Sequence, residues 1–128
     1  MIYRMDESFD IAQDRLYWLA FSNCQGIGPV RFQKLLHAFG SAKNAWESSF
    51  SDLVASDIGQ KVSEDIVHFR NTFSVEVYED RLQKLHVSYH TLEDQSYPQL
   101  LKESKNPPFV LYTKGDITAY ASTDSMIA

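Results

Sequence analysis

Apolar positions recur at helical spacing along the first part of the chain. The clearest stripe is Phe32, Leu35, Leu36 and Phe39, which follows the i, i+3, i+4, i+7 pattern of an amphipathic helix. A preceding helix is predicted to begin after Ser8 and to end before residues 25–29. Further helices are predicted at residues 42–46, 51–54, 62–73 and 75–85. The pattern indicates a bundle of short helices.

Residues with special backbone preferences separate these stripes. Pro29 suits the first turn of a helix, Gly40 is placed to end that helix, and Ser41 is placed to cap the next one. Gly26 and Gly28 are both expected to adopt backbone angles that other residues avoid. The turn at residues 57–61 resembles a degenerate copy of this one that lacks the paired glycines, and it is interpreted as structural only.

The character of the sequence changes after Leu85. Residues 86–92 are rich in β-branched and aromatic side chains, as is typical of a strand. The segments predicted to follow are a short helix at 97–104 with Pro98 in its first turn, a strand at 109–113, a turn at 114–116 and the start of a further strand at 126–128. The chain therefore reads as a helical domain, residues 1–85, followed by the beginning of an α/β domain, residues 86–128.

Composition excludes several classes of protein. The 128 residues are 44% hydrophobic, which is enough for a packed core and argues against disorder. The longest apolar run is six residues, 16–21, far below the roughly 20 that a membrane span needs. Acidic residues near the N-terminus do not fit a secretory signal, and a lone Cys24 cannot form an internal disulfide. We expect a soluble cytoplasmic protein without a membrane partner.

A local positive patch stands out against a net charge of −5. Residues 23–46 contain three basic residues and no acid. Within this stretch, the turn at residues 26–28 between two helices has the helix-hairpin-helix pattern. Its backbone N–H groups can face a phosphate oxygen, and such a contact holds a nucleic-acid backbone without reading bases. The candidate DNA-binding residues are Gly26, Ile27, Gly28, Arg31 and Lys34, with Ile27 pointing into the core.

No catalytic constellation is visible elsewhere. The four histidines lack cysteine or carboxylate partners at zinc-binding spacings, and neither a nucleophile elbow nor a glycine-rich phosphate loop is present. We therefore predict no catalytic residue, no metal, no cofactor and no enzymatic activity. Two other classes stay open at this point: a protein-interaction module without DNA contact, and a nuclease or hydrolase fragment, which the lack of a carboxylate cluster disfavours.

Two motifs together resemble a known family. The first covers residues 19–41 and contains Gly26-Ile27-Gly28-Pro29. The second is Tyr97-Pro98-Gln99-Leu100-Leu101, followed by Asn106-Pro107-Pro108-Phe109-Val110-Leu111-Tyr112 and Lys114-Gly115-Asp116. Their order and spacing resemble the opening part of the DprA (Smf) DNA-processing proteins, and the resemblance extends over residues 16–128.

The resemblance implies a mainly α fold, in which a SAM-like or helix-hairpin-helix domain precedes the first elements of an extended Rossmann fold. It implies a DNA-processing protein of bacterial natural transformation that binds and protects incoming single-stranded DNA, loads RecA and self-associates. The main DNA site would lie on the Rossmann core, at a Gly-Ser/Thr-Arg loop that this chain does not reach, which makes the helical domain an accessory. The faces of Val110, Leu111 and Tyr112 are then expected to be partly uncovered, or covered by a second copy.

Overall fold

Residues 11–114 are described by a computed structural model of the chain. The helices and strands of this part are, in order, α1 (Ile11–Ser22), α2 (Pro29–Phe39), α3 (Ala42–Trp46), α4 (Phe50–Ala55), α5 (Gln60–Thr72), α6 (Val75–Lys84), β1 (Val87–Thr91), α7 (Gln99–Lys102) and β2 (Val110–Lys114). The mainly helical fold is confirmed. The predicted cap at Ser8, the turn beyond Lys114 and the strand at 126–128 lie outside the described residues.

Local capping chemistry sets several of these helix boundaries. Gly40 ends α2 in a left-handed conformation with φ 86°, and its N–H donates to Leu36 O at 2.8 Å. The Ser41 hydroxyl accepts from Asn44 N at 3.1 Å and caps α3. Both predictions are confirmed. The predicted start of α4 at Ser51 is wrong, because Ser49 supplies the N-cap and accepts from Asp52 N at 3.1 Å.

The helices enclose a core that is rich in aromatic rings. The indole of Trp18 meets the ring of Phe32 edge-on at 4.8 Å, and Phe21 meets Trp46 in the same manner at 5.1 Å. Such edge-to-face pairs add to the stabilisation from burial alone. The largest apolar side chains that are completely buried with Phe21 and Phe32 are Leu19, Leu35, Leu53 and Ile66. Leu85, predicted as part of the stripe of α6, instead follows that helix and is 54% exposed.

The two strands form an antiparallel pair whose central partners are Tyr89 and Tyr112. The pair packs on the bundle, where Phe109 stacks on Phe32 with ring centroids 4.1 Å apart and planes at 12°. An extended Rossmann fold and a domain boundary at residue 85 stay predictions. The core nevertheless continues across that position, because Phe109 and Val110 belong to the same buried cluster as the helical residues.

The expectation of uncovered apolar faces on β2 is wrong for two of its three residues. Val110 and Leu111 are buried within the single chain, and Val110 belongs to the same buried cluster as the helical residues. Tyr112 is 37% exposed, and its hydroxyl lies 2.7 Å from Ser22 Oγ. No second copy is therefore needed to cover Val110 and Leu111.

A polar cluster also joins α1 to the loop after β1. Arg15 Nη2 lies 2.8 Å from Asp94 Oδ2, and the guanidinium stacks over the ring of Tyr89 at 4.6 Å. Burial raises the pKa of Asp94, but hydrogen bonds from Arg15 and Thr91 outweigh this effect and leave that pKa below its usual value. The cluster and the Phe32–Phe109 stack thus hold the strands and the bundle together.

Among residues 11–114, no helix has the length and apolar character that crossing a membrane requires.

Candidate nucleic-acid interface

The predicted turn at residues 26–28, here called the first hairpin, connects α1 to α2. Gly26 adopts φ 93° and is exposed, a conformation that an L side chain rarely takes. Ile27 points inward and is only 8% exposed, and its N–H donates to Cys24 O at 3.2 Å. The buried isoleucine therefore fixes the hairpin on the core, while the backbone of Gly26 faces outward.

Gly28 does not adopt the special backbone angles that were predicted for both glycines. Its φ is −101° and its ψ is −172°, which is extended backbone open to any residue. A Cβ built on Gly28 would meet no atom within 4 Å. The backbone of the chain thus does not require glycine here. The missing side chain leaves open space in front of the first turn of α2.

The first turn of α2 presents backbone amides to that space. Gly28 is the N-cap and offers no side chain to accept from them, and Pro29 has no N–H. The first bond of the helical ladder runs from Phe32 N to Gly28 O at 2.9 Å, so the N–H groups of Val30 and Arg31 precede that ladder. Amides at a helix start, together with the helix dipole, favour an anion such as phosphate.

Arg31 and Lys34 both lie on α2, but they reach different places. The Arg31 Nη1 atom donates to Gly26 O at 3.1 Å, so its guanidinium is at the first hairpin as predicted. Lys34 Nζ instead donates to Asp57 O at 3.3 Å and lies 3.7 Å from Asp57 Oδ2. The five predicted residues therefore lie within residues 26–34. One of their two cations is at the hairpin, and the other is directed away from it.

Residues 57–59, the second hairpin, repeat the residue order of the first, but the backbone of the glycine N-cap differs, with φ 101° at Gly59 and −101° at Gly28. Asp57 takes the place of Gly26 with a positive φ of 69°, and Ile58 takes the place of Ile27 and is 3% exposed. Gly59 is the N-cap of α5, as Gly28 is of α2. The resemblance of this turn to the first was predicted from the sequence, although aspartate stands where glycine is expected. Aspartate is among the few other residues that tolerate a left-handed backbone.

The helices that follow the hairpins also match position by position. Their fourth residues, Phe32 and Ser63, are buried, and so are their seventh residues, Leu35 and Ile66. Their charges differ, however. The fifth and sixth residues of α2 are Gln33 and Lys34, whereas those of α5 are Glu64 and Asp65. The start of α5 has a cation of its own, Lys61, but Asp65 pairs with it at 3.0 Å, whereas Arg31 at the first hairpin bonds to a backbone carbonyl.

The thiol beside the first hairpin has no nucleophilic character. Burial, and secondarily the charge of Asp65, raises the pKa of Cys24 to about 11. A thiol must be ionised to react or to bind a metal, and this one stays protonated at neutral pH. Within residues 11–114, no group of three or more histidine, cysteine or acidic side chains is placed to hold a metal ion.

The comparison with known proteins matches this geometry. A family profile described as the DprA-like N-terminal HHH domain matches residues 12–48, which include α1, the first hairpin and α2. Residues 12–48 are thus similar to a DprA-like N-terminal domain. The protein Smf of Synechocystis is 34% identical over 103 residues, which are 80% of this chain and 26% of Smf.

A second relative is UvrABC system protein C of Caulobacter vibrioides. It is 38% identical over 68 residues, or 52% of this chain and 10% of that protein. The chain thus spans about a quarter of the length of Smf and about a tenth of the UvrC protein. No solved structure matches it.

Proposed function

We propose that the first hairpin of this DprA-like domain is an accessory contact for the backbone of single-stranded DNA. The observation that carries the proposal is the coincidence, at one place, of exposed Gly26, the open amides of α2 and the Arg31 guanidinium at 3.1 Å from Gly26 O. Phosphate oxygens accept from both kinds of donor. No base-reading group is part of this set, so the contact is independent of sequence.

The similarity to Smf supports a proposal for the role of the whole protein. We propose that the whole protein processes DNA in bacterial natural transformation, binding and protecting single strands and loading RecA in the cytoplasm. In this proposal, the main DNA-binding surface and the self-association surface belong to a Rossmann core, and the present domain adds a second, weak DNA contact. The domain performs no catalysis in this proposal, and it holds no cofactor or metal.

The contact is tested by fluorescence anisotropy with a labelled single-stranded oligonucleotide at several salt concentrations. Two phosphates neutralised on a single strand would give a slope of about −1.4 in the logarithm of affinity against the logarithm of salt. We expect the Arg31→Glu, Lys34→Glu double variant to bind at least about tenfold more weakly at low salt. Circular dichroism checks that the variant stays folded.

A matched control is available on α6. Arg81 and Lys84 are exposed basic residues in the last turn of that helix. The Arg81→Glu, Lys84→Glu variant therefore makes the same change in net charge away from the hairpin. We expect it to bind nearly as well as the unchanged chain. Equal losses of DNA affinity in both variants would mean that only overall charge matters. No binding by the unchanged chain would favour a protein-interaction role.

A further inference from the structure

A groove of about 690 Å³ separates α2 from the second hairpin and from the chain on either side of α7. Its volume lies within the range of about 300–1,000 Å³ that is usual for small-molecule sites. One wall is the outward face of α2, which presents Val30, Gln33 and His37. Asp57 belongs to the second wall, and Asn106 and Pro107 form the third. We call it the inter-hairpin groove.

This groove is continuous with the proposed backbone contact. Pro29 and Val30 are the first two residues of α2, so they belong both to the open helix start and to the groove lining. Val30 is 57% exposed. A strand whose phosphate lies at the first hairpin would therefore place its adjoining nucleotide at the mouth of the groove.

The chemistry of the groove suits an uncharged planar group better than a phosphate. Val30, Ala38 and Pro107 supply apolar surface, and the imidazole of His37 offers a flat ring. The Lys34–Asp57 ion pair at one edge, with its 3.7 Å separation, has no net charge. Pockets for an extruded nucleobase combine apolar or aromatic faces with hydrogen bonds to the edge of the base. The side-chain amides of Gln33 and Asn106 can provide such bonds from opposite walls.

We propose that the inter-hairpin groove binds an unpaired nucleobase of the strand whose backbone the first hairpin holds. The inference rests on the proposed function and adds a preference for single strands to it. The bases of a duplex are stacked and paired, and extruding one costs a few kcal/mol, whereas an unpaired base enters without that cost. The amides on the walls rotate to suit either donors or acceptors, so the preference extends to all bases.

Three fluorescent probes of equal length test this proposal: an intact single strand, a single strand with abasic sites throughout, and a duplex. The abasic probe keeps its phosphates and loses its bases. At low salt, we expect the intact single strand to bind about five- to tenfold more tightly than either of the others, because stacking of one base contributes strongly to such binding.

A groove variant locates the effect. Ala38→Leu fills space on the exposed face of α2 and keeps a good helix former. It is expected to lower the affinity of the intact strand to that of the abasic strand, and to leave the abasic affinity unchanged. Ala12→Leu, at an exposed alanine of α1 outside the groove, is the control and should preserve the difference.

The outcomes separate the two proposals. Equal affinities for all three probes would leave the backbone contact standing and overturn the nucleobase site. A preference for the intact strand that survives Ala38→Leu would also overturn it. Binding of none of the probes would remove the proposed function itself and leave the groove to a protein partner.

Discussion

The first and second hairpins share an order of residues but differ in charge. Each has a residue with positive φ, a buried isoleucine and a glycine N-cap, in the same order. At the exposed tip, however, the first has Gly26 and the second has Asp57, whose side chain is 94% exposed. A carboxylate at that place repels phosphate. We infer that the buried isoleucine and the glycine N-cap serve architecture in both hairpins, and that the surrounding side chains decide which of the two binds DNA.

The largest expected effect concerns what the hairpins share. Ile27→Ala and Ile58→Ala should each lower the free energy of unfolding by about 2–5 kcal/mol, because each removes buried methyl groups from the core. Urea denaturation of both variants measures the effect. If only one of them proved destabilising, the structural equivalence of the two hairpins would be wrong.

Substitutions at Gly59 and Gly28 should affect stability and DNA binding differently. Gly59 has φ 101° and ψ 148°, so Gly59→Ala is expected to cost about 1–3 kcal/mol of stability. Gly28→Ala should cost little stability, since its backbone is extended and its Cβ would meet nothing. Its methyl group should still weaken DNA binding, by intruding where the phosphate approaches. Thermal unfolding and anisotropy on the same samples compare the two, and full binding by Gly28→Ala would contradict the proposed contact.

A change of charge on α5 should make the second hairpin bind DNA in the way proposed for the first. Glu64→Gln with Asp65→Lys gives α5 the fifth and sixth residues of α2. We expect DNA affinity at low salt to rise about fivefold, which corresponds to roughly the 1 kcal/mol of one charge pair at 4 Å in water. The loss of the exposed Lys61–Asp65 pair, at 3.0 Å, should matter little to stability. Unchanged affinity would mean that the second hairpin is excluded from DNA by something other than charge.

The smallest expected effect comes from the residue between the two hairpins. Asp57→Asn keeps a residue that tolerates a left-handed backbone, and it removes the carboxylate that lies 3.7 Å from Lys34 Nζ. The bond from Lys34 Nζ to the backbone O of residue 57, at 3.3 Å, remains, so we expect affinity to rise only about twofold, through the loss of one negative charge. The same anisotropy titration detects this change. Weaker binding would show that Asp57 positions Lys34 for DNA instead of competing for it.

Features set by local chemistry were predictable from the sequence. The caps at Gly40 and Ser41 follow from residues within one helical turn of each other, and the buried Ile27 follows from the pattern around it. Gly28 shows the limit of such reasoning. A glycine in a turn suggests special backbone angles, yet only the conformation of the folded chain shows that Gly26 alone uses them.

Features set by long-range contacts were not predictable. The stack of Phe109 on Phe32 and the Arg15–Asp94 pair join residues from opposite parts of the chain, and no local pattern indicates either partner. The same holds for the turn of Lys34 toward Asp57. At the second hairpin the sequence predicted a copy of the first turn, but it did not predict that Asp57 would take the positive φ of Gly26.

Amide chemical shifts of the isotopically labelled chain, recorded during titration with a single-stranded oligonucleotide at low salt, test the central claim most directly. We expect the signals of Gly26, Val30 and Arg31 to move with added DNA, and those of Gly59 and Lys61 to stay in place. Shifts centred on the second hairpin, or no shifts at either hairpin, would contradict it.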